Sequence, residues 1–440
     1  MKMKLGSLFD GSGGFPLAGA LAGIEPVWAA EVEPYPIAVT RSRFPQMMHL
    51  GSVTGVHGDK VQPVDVITFG SPCQDLSVAG KRAGIHDGQR SNLFFEAIRI
   101  IKEMREATNG RYPAFAVWEN VPGAFSSNRG EDFRCVLEEL AQIAGGEVSI
   151  PRPACGKWHN AGEIVGDGYS IAWRVLDAQY YGVPQRRKRI YLVADFAGER
   201  AGKILFERES LRGHPAQGGA PGKDATADTA GRAGRSCETG VIVLQGNNVD
   251  RPDKANCNGR GWREDVCYDA RGNGDGTHCP TLTGDHENRV TDYTALCIGH
   301  GEPNSITMAE QANMLTCMHD QQAVLTDGKP PRRYIIRRLT PLECNRLQGF
   351  PEGWGIHDHK DSLTGEEFVF WMNVYMTYAR INGKKPRAHT AKSLTQWYNG
   401  LHTDSAEYKM WGNGIALPCA EYVMEGIAEE LKEAAQCTKA

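Results

Sequence analysis

The chain has 440 residues, 41% hydrophobic and 23% charged, with a formal net charge of −4, which is the make-up of a globular protein large enough for two domains. No apolar stretch approaches the length of a membrane-spanning helix, and MKMKLGSLF runs straight into a strand without a signal-peptide core, so a cytoplasmic protein with no membrane partner is expected. The 12 cysteines include no C-x-x-C pair, which argues against a disulfide framework or a zinc site.

Residues 4–9 (KLGSLF) predict a first strand, and DGSGGF leads into a helix running to about residue 22. Glycines at a strand-to-helix turn let a ligand approach the backbone and the helix N-terminus. A second strand over 26–30 ends at Glu31. An acidic residue about 20 positions beyond the glycines is where ribose hydroxyls find an acceptor. Together the two favour an adenosine-type cofactor, and because the turn is not G-x-G-x-x-G a dinucleotide is disfavoured.

Asp65-Val66-Ile67-Thr68-Phe69 reads as a buried strand stopped by Gly70-Ser71-Pro72. Cys73 thus falls just past the carboxyl end of a strand, where open α/β sheets keep their ligand crevices, and Pro72 stiffens the turn that presents it. The loop over 74–92, with glycines at 80, 84 and 88 and charges at Lys81, Arg82, Asp87 and Arg90, reads as a closing lid. Leu93, Phe94, Ala97, Ile98, Ile101 and Met104 form a helical apolar stripe. The next strand, YPAFAVW over 112–118, delivers Glu119 and Asn120 to the same sheet edge as Cys73, where partial desolvation raises a carboxyl's pKa. Strands over 170–178 and 189–194 are joined by YGVP and the basic run QRRKR.

From about 199 to 331 the texture changes to Gly, Asp, Asn, Thr and Cys without helical periodicity, the pattern of a small β-rich domain with long loops. Regular patterning returns with RRYIIRRLTPLECNRLQGFPEGW over 332–354. Residues 355–407 read as helical, with Thr364 and Glu367 as a capping box ahead of Phe368, Trp371, Val374 and Tyr375. Lys384, Lys385 and Arg387 make a basic cluster there, read as a solvated face before an extra DNA contact. The end holds another tight glycine turn and a helix with Val423, Ile427 and Leu431 on one face.

Six stretches, FDGSGGF, GSPCQ, ENV, QRRKR, RRLTPLECNRLQGFP and WGNGIALP, span almost the whole chain. In that order they resemble the motifs of the cytosine-5 DNA methyltransferases of bacteria and their phages. The resemblance implies an α/β fold, a Rossmann-like S-adenosylmethionine-dependent methyltransferase sheet with helices on both faces, plus a smaller β-rich target-recognition domain. Residues 1–198, completed by 408–440, would form the catalytic cofactor-binding domain. Residues 199–354 would hold the target-recognition domain and returning segment, and 355–407 a helical insertion.

The implied activity is methyl transfer from S-adenosylmethionine to carbon 5 of a cytosine flipped out of a specific double-stranded DNA site. The product would be S-adenosylhomocysteine, and no metal is expected. Cys73 would add to carbon 6, Glu119 would share a proton with ring nitrogen 3, and Arg189 would hold the carbonyl oxygen and orient Glu119. Arg187 would bind near the cysteine loop and backbone. The resemblance assigns Phe9, Gly11, Gly13 and Gly14 to the methionine side of the cofactor and Glu31 to its ribose. Pro72 and Leu93 would line the pocket, and Asn413 and Ile415 would arrive from the C-terminal turn. Ser52 stands where the family's acidic residue reads the adenine amino group, Val32 where an aromatic often stacks, and Ser7 and Asp10 where an acid and a small residue are usual. A transfer-RNA cytosine methyltransferase of the same fold and a non-catalytic DNA-binding regulator stay open as alternatives. A monomer is expected, with a cognate restriction endonuclease left open as a partner.

Overall fold

A computed structural model describes residues 2–71, 93–145, 148–206 and 339–437, with the backbone of short strands at 294–295, 322–325, 332–335 and 337–338. Its centre is an eight-stranded sheet. In chain order the strands are β1 (Met3–Leu8), β2 (Ile24–Ala30), β3 (Met48–His49), β4 (Val66–Phe69), β5 (Phe115–Asn120), β6 (Ala161–Gly166), β7 (Tyr169–Asp177) and β8 (Lys188–Asp195). They lie in the order β3-β2-β1-β4-β5-β8-β7-β6. The first five run parallel, and β8, β7 and β6 add antiparallel. Parallel strands are covered on both faces and therefore read as unbroken apolar runs; all four residues of β4 are buried.

One face is covered by α1 (Gly14–Ala22), α5 (Ala201–Leu205), α6 (Pro341–Leu347), α9 (Asp404–Asn413) and α10 (Leu417–Cys437). Their core includes Leu5, Phe15, Val66, Val117, Tyr191, Leu347, Trp411 and Val423. The other face carries α3 (Leu93–Ala107) and α4 (Glu131–Ile143), with Phe69, Phe94, Ile101, Trp118, Phe133 and Leu192 between. A third cluster joins α2 (Pro34–Arg43) to α7 (Gly365–Ile381) and α8 (Ala391–Asn399) through Ile37, Ala38, Trp371, Val374, Leu394 and Tyr398. The expected helical insertion is therefore two helices clasped to α2, with extended chain on either side of α7.

The sheet-bearing body keeps the chain through Leu205, whose carbonyl accepts from the Tyr422 hydroxyl at 3.1 Å and from Arg174 at 2.9 Å. It regains the chain at Leu339, which packs against the first core. Among the described residues no helix is long and apolar enough to cross a membrane.

Two local expectations are corrected. The strand expected over 112–118 is β5, shifted toward the C-terminus, because Pro113 has no N–H to give a ladder and the N–H groups of Ala114 and Phe115 both turn to the Asp65 carbonyl, at 2.9 and 3.0 Å. Glu119 and Asn120 are thus strand residues rather than the start of a loop. The capping box expected at Thr364 and Glu367 does not form; Glu367 instead reaches Lys360 at 3.3 Å. Thr340 and Glu343 make one at the head of α6.

Candidate active site

The strand order reverses between β1 and β4, and open α/β sheets bind their ligands outside the carboxyl ends of the strands at such a switch point. The glycine turn leaves β1 there, and Gly70-Ser71 leaves β4 beside it. β5, next along, supplies the carboxyl. In the antiparallel β5–β8 ladder Glu119 pairs with Tyr191, so Arg189, two residues earlier, projects from the same face. Arg189 Nε lies 3.1 Å from Glu119 Oε1, and the two side chains are only 15% and 12% exposed. A Cβ placed on Gly70 would come within 3.2 Å of Glu119 Oε2, so the carboxyl sits against the turn that leads to Cys73. Desolvation raises the Glu119 pKa even though Arg189 and Arg187 both pull it down. The group therefore holds a proton more readily than a free glutamate.

Arg187 is buried, and its Nη2 donates to the carbonyls of Gly412 at 2.8 Å and Gly414 at 2.5 Å. Burial, and then the neighbouring Arg189, lower its pKa to about 9, which leaves it charged at neutral pH. It clamps the C-terminal glycine turn to the end of β8.

Alternation along β5 divides the work. Glu119 points to one face; Trp118 and Asn120 point to the other and hold Ser71. Trp118 Nε1 donates to Ser71 Oγ at 3.2 Å, and Asn120 Nδ2 donates to the Ser71 carbonyl at 3.0 Å. Asn120 Oδ1 in turn accepts from the Val121 N–H at 2.8 Å. Sequence reasoning did not single out Trp118 or Asn120, although the period of two around Glu119 carried the signal.

Beside this, Phe9, Gly11 and Gly13 all take positive φ, at 57°, 55° and 76°. That conformation is cheap for glycine and strained for phenylalanine. The turn is tied down by the Asp10 N–H on the Ala30 carbonyl at 3.2 Å. Glu31, at the end of β2, accepts three backbone N–H groups: Gly11 on Oε2 at 2.8 Å, and Val32 and Glu33 on Oε1 at 2.7 and 2.9 Å. A carboxylate offers about four acceptor positions, so Glu31 has room for one more donor, on Oε2. Desolvation nevertheless raises its pKa.

Asp10 is buried and accepts from Ser7 Oγ at 2.7 Å, so the acid and small residue that stand exchanged from the family pattern form one hydrogen-bonded pair. Burial, against the Ser7 bond and with nearby Glu31 adding to it, lifts Asp10 to about pH 8. Asp10 Oδ2 and Ser12 Oγ are buried without a hydrogen-bond partner among the described residues. Exposed Asn413 and buried Ile415 complete the rim, with Ile415 against Gly14. Orphaned polar atoms beside a glycine turn, and a carboxylate with one free acceptor position, fit a polar adenosine cofactor. Ser52 spends its hydroxyl locally, on the Thr54 hydroxyl at 2.9 Å and the Thr54 N–H at 3.4 Å. Leu93 begins α3 and is half-buried against the second core.

Residues 3–145 and 162–214 match the profile of C-5 cytosine-specific DNA methylases. Type II methyltransferase M.AquIA of Picosynechococcus is 31% identical over 222 residues, which cover 48% of this chain and 78% of that protein. The chain belongs to the C-5 cytosine-specific DNA methylase family.

A protein of Escherichia phage P1 named DNA N-6-adenine-methyltransferase is 28% identical over 428 residues; the match takes in 84% of this chain but only 56% of the phage protein. Among solved structures, the S. pombe Dnmt2 methyltransferase shares the fold, with a TM-score of 0.51 at 17% identity over 98% of this chain and 99% of that one. The structure gathers Phe9, Gly11, Gly13, Gly14, Glu31 and Glu119 at the carboxyl ends of β1, β2 and β5, with Arg187 and Arg189 at the amino end of antiparallel β8, Asn413 at the end of α9 and Ile415 in the turn to α10. Cys73, Pro72, the 74–92 lid and most of the 199–338 recognition region lie outside the described residues.

Proposed function

We propose that the protein transfers a methyl group from S-adenosylmethionine to carbon 5 of a cytosine flipped out of a specific double-stranded DNA site. The observation that carries this reading is the Glu119–Arg189 pair, a carboxyl whose pKa desolvation raises, fixed by a guanidinium at 3.1 Å beside the Gly70-Ser71 turn. Carbon 5 of cytosine is a weak nucleophile. Addition of the Cys73 thiolate to carbon 6 turns the ring electron-rich at carbon 5, and Glu119 gives its proton to ring nitrogen 3 as negative charge develops there. Arg189 orients Glu119 and donates to the base carbonyl. The cofactor, when bound, supplies a methyl group on a sulfonium. After transfer a base removes the proton on carbon 5, the Cys73–carbon 6 bond breaks, and Glu119 recovers the proton from nitrogen 3. Gly11, Gly13, Gly14, Glu31, Asn413 and Ile415 hold the donor, with Pro72, Leu93 and Ser52 assigned to the rest of its pocket. The target-recognition region expected within residues 199–354, beyond α5, reads the DNA.

DNA carrying 5-fluorocytosine keeps its carbon 5 substituent and stalls the last step. A denaturation-resistant adduct is expected with the wild type and none with Cys73→Ser; an adduct in the serine variant would show that another residue is the nucleophile. The name of the P1 relative raises a second reading, methylation of the adenine amino nitrogen. Digestion of methylated duplex followed by mass analysis separates the two, with 5-methylcytosine expected. Duplex DNA and transfer RNA offered side by side as acceptors test the substrate class, and methylation of neither would favour the non-catalytic regulator.

A further inference from the structure

The turn between α7 and α8 and the helix ends beside it carry Arg380, Lys384, Lys385, Arg387 and Lys392 within 13 residues that contain no acidic residue, in a chain whose formal net charge is −4. All five side chains are exposed, and none of them pairs with a carboxylate among the described residues. Several cations elsewhere are spent locally. Arg99 holds Glu96 at 2.7 Å and Glu103 at 2.8 Å, Arg200 holds Asp195 at 2.7 Å, Lys409 holds Glu33 at 2.9 Å, and Arg41 lies over the Phe370 ring at 4.0 Å.

The turn is also firmly built. The Lys384 N–H closes onto the Ala379 carbonyl at 2.8 Å, and Asn382 Nδ2 onto the Tyr378 carbonyl at 2.8 Å. Thr390 caps α8 through the Ser393 N–H at 3.2 Å, and His389 sits edge-on to Tyr375 with ring centroids 4.4 Å apart. Both flanking helices are anchored to α2 through Trp371, Leu394 and Tyr398. Like charges clustered on one short stretch repel one another. Such an arrangement is matched by a partner that brings its own regularly spaced negative charge.

We infer that the α7–α8 turn is a second DNA contact, one that grips the phosphate backbone of the duplex without reading its bases. This rests on the duplex-DNA reading above. Phosphate contacts of this kind position a duplex and carry no sequence information of their own. Each lysine or arginine on a phosphate contributes about one unit to the salt dependence of binding.

The test is fluorescence anisotropy of a labelled duplex across a salt series, comparing wild type with the full-length triple variant K384A/K385A/R387A. The inference expects the variant to bind at least about tenfold more weakly at low salt, with its log K against log salt slope shallower by about three. Cognate and scrambled duplexes should lose affinity alike, and methyl transfer at saturating duplex should stay at the wild-type rate. The charge-keeping variant K384R/K385R should bind as the wild type does, with its unfolding midpoint unchanged, which separates charge from folding. Wild-type duplex binding with an unaltered slope in the triple variant would overturn the inference and leave the methylase reading standing. Weakened binding of a single-stranded RNA but not of duplex DNA would overturn it in favour of an RNA surface. A wild type that binds no duplex at any salt would overturn both readings.

Discussion

Asp10 and Glu119 are two buried carboxyls in one crevice, and their partners set their roles. Glu119 has a guanidinium at 3.1 Å, and desolvation still wins, so it can hand over a proton and be steadied once ionised. General acid–base participation is worth about 10²- to 10⁴-fold in rate. Glu119→Gln should therefore lose about that much in single-turnover methyl transfer while keeping its circular dichroism and its affinity for DNA; a tenfold loss or less would remove Glu119 from the chemistry. Asp10 has only the Ser7 hydroxyl among the described residues, and it titrates at about pH 8 in the fold against about 3.9 in an unfolded chain. Between those values the native state keeps a proton that the unfolded state has released. Stability should accordingly fall as pH rises through that window, by at most about 1.4 kcal/mol per unit. Asp10→Asn keeps the Ser7 contact and cannot ionise, so its urea midpoint should vary less between pH about 5 and about 8 and should exceed the wild type's at the upper end. A wild-type midpoint that climbs over this range would contradict the assignment.

At the scale of elements, α6 has the most to lose from a single atom. Thr340 Oγ1 accepts from the Glu343 N–H at 3.2 Å and the Glu343 carboxylate takes the Thr340 N–H at 2.7 Å, and the segment it starts carries Gln348, whose side chain donates to the Trp411 carbonyl at 2.6 Å. Loss of an N-cap hydroxyl costs about 1 kcal/mol, so Thr340→Ala should lower the thermal midpoint by about 1 °C, whereas Thr364→Ala, with no cap bond to lose, should leave it near the wild type's. Both stretches spell the same T-x-x-E spacing. The difference lies in Lys360, which draws Glu367 away and which no local pattern can see. Strands β1, β2, β4 and β8 were legible because burial on both faces writes itself as apolar runs. β6 was not, since AGEIVG is an exposed edge with alternating half-burial. Glu119 and Arg189 were legible as motif residues. The hold of Trp118 and Asn120 on Ser71 was not, because it depends on which way each β5 side chain points and on a neighbouring strand 49 residues away.

The whole molecule is closed by joining its ends. α10 packs on α1 and reaches α5, and the turn between α9 and α10 meets the glycine turn after β1, so the crevice exists only when residues near 14 and near 415 are brought together. Gly14 is where they touch. A Cβ built there would lie 2.5 Å from Ile415 Cγ1, 2.8 Å from its Cδ1 and 3.3 Å from the Phe350 ring. The helix itself would tolerate alanine at this position, so any penalty reports the contact rather than backbone propensity. Gly14→Ala should push Ile415 outward and cost about 1–3 kcal/mol, as overpacking does in a filled core. Ile415→Ala alone should cost about 2–5 kcal/mol through the cavity it leaves. Combined, the new methyl occupies part of the space that Ile415 vacates, so the double variant should be less destabilised than the sum of the singles by about 0.5–3 kcal/mol. Urea unfolding of the four proteins measures the coupling directly. Strict additivity would mean that the two turns do not pack as neighbours and that the crevice is assembled some other way.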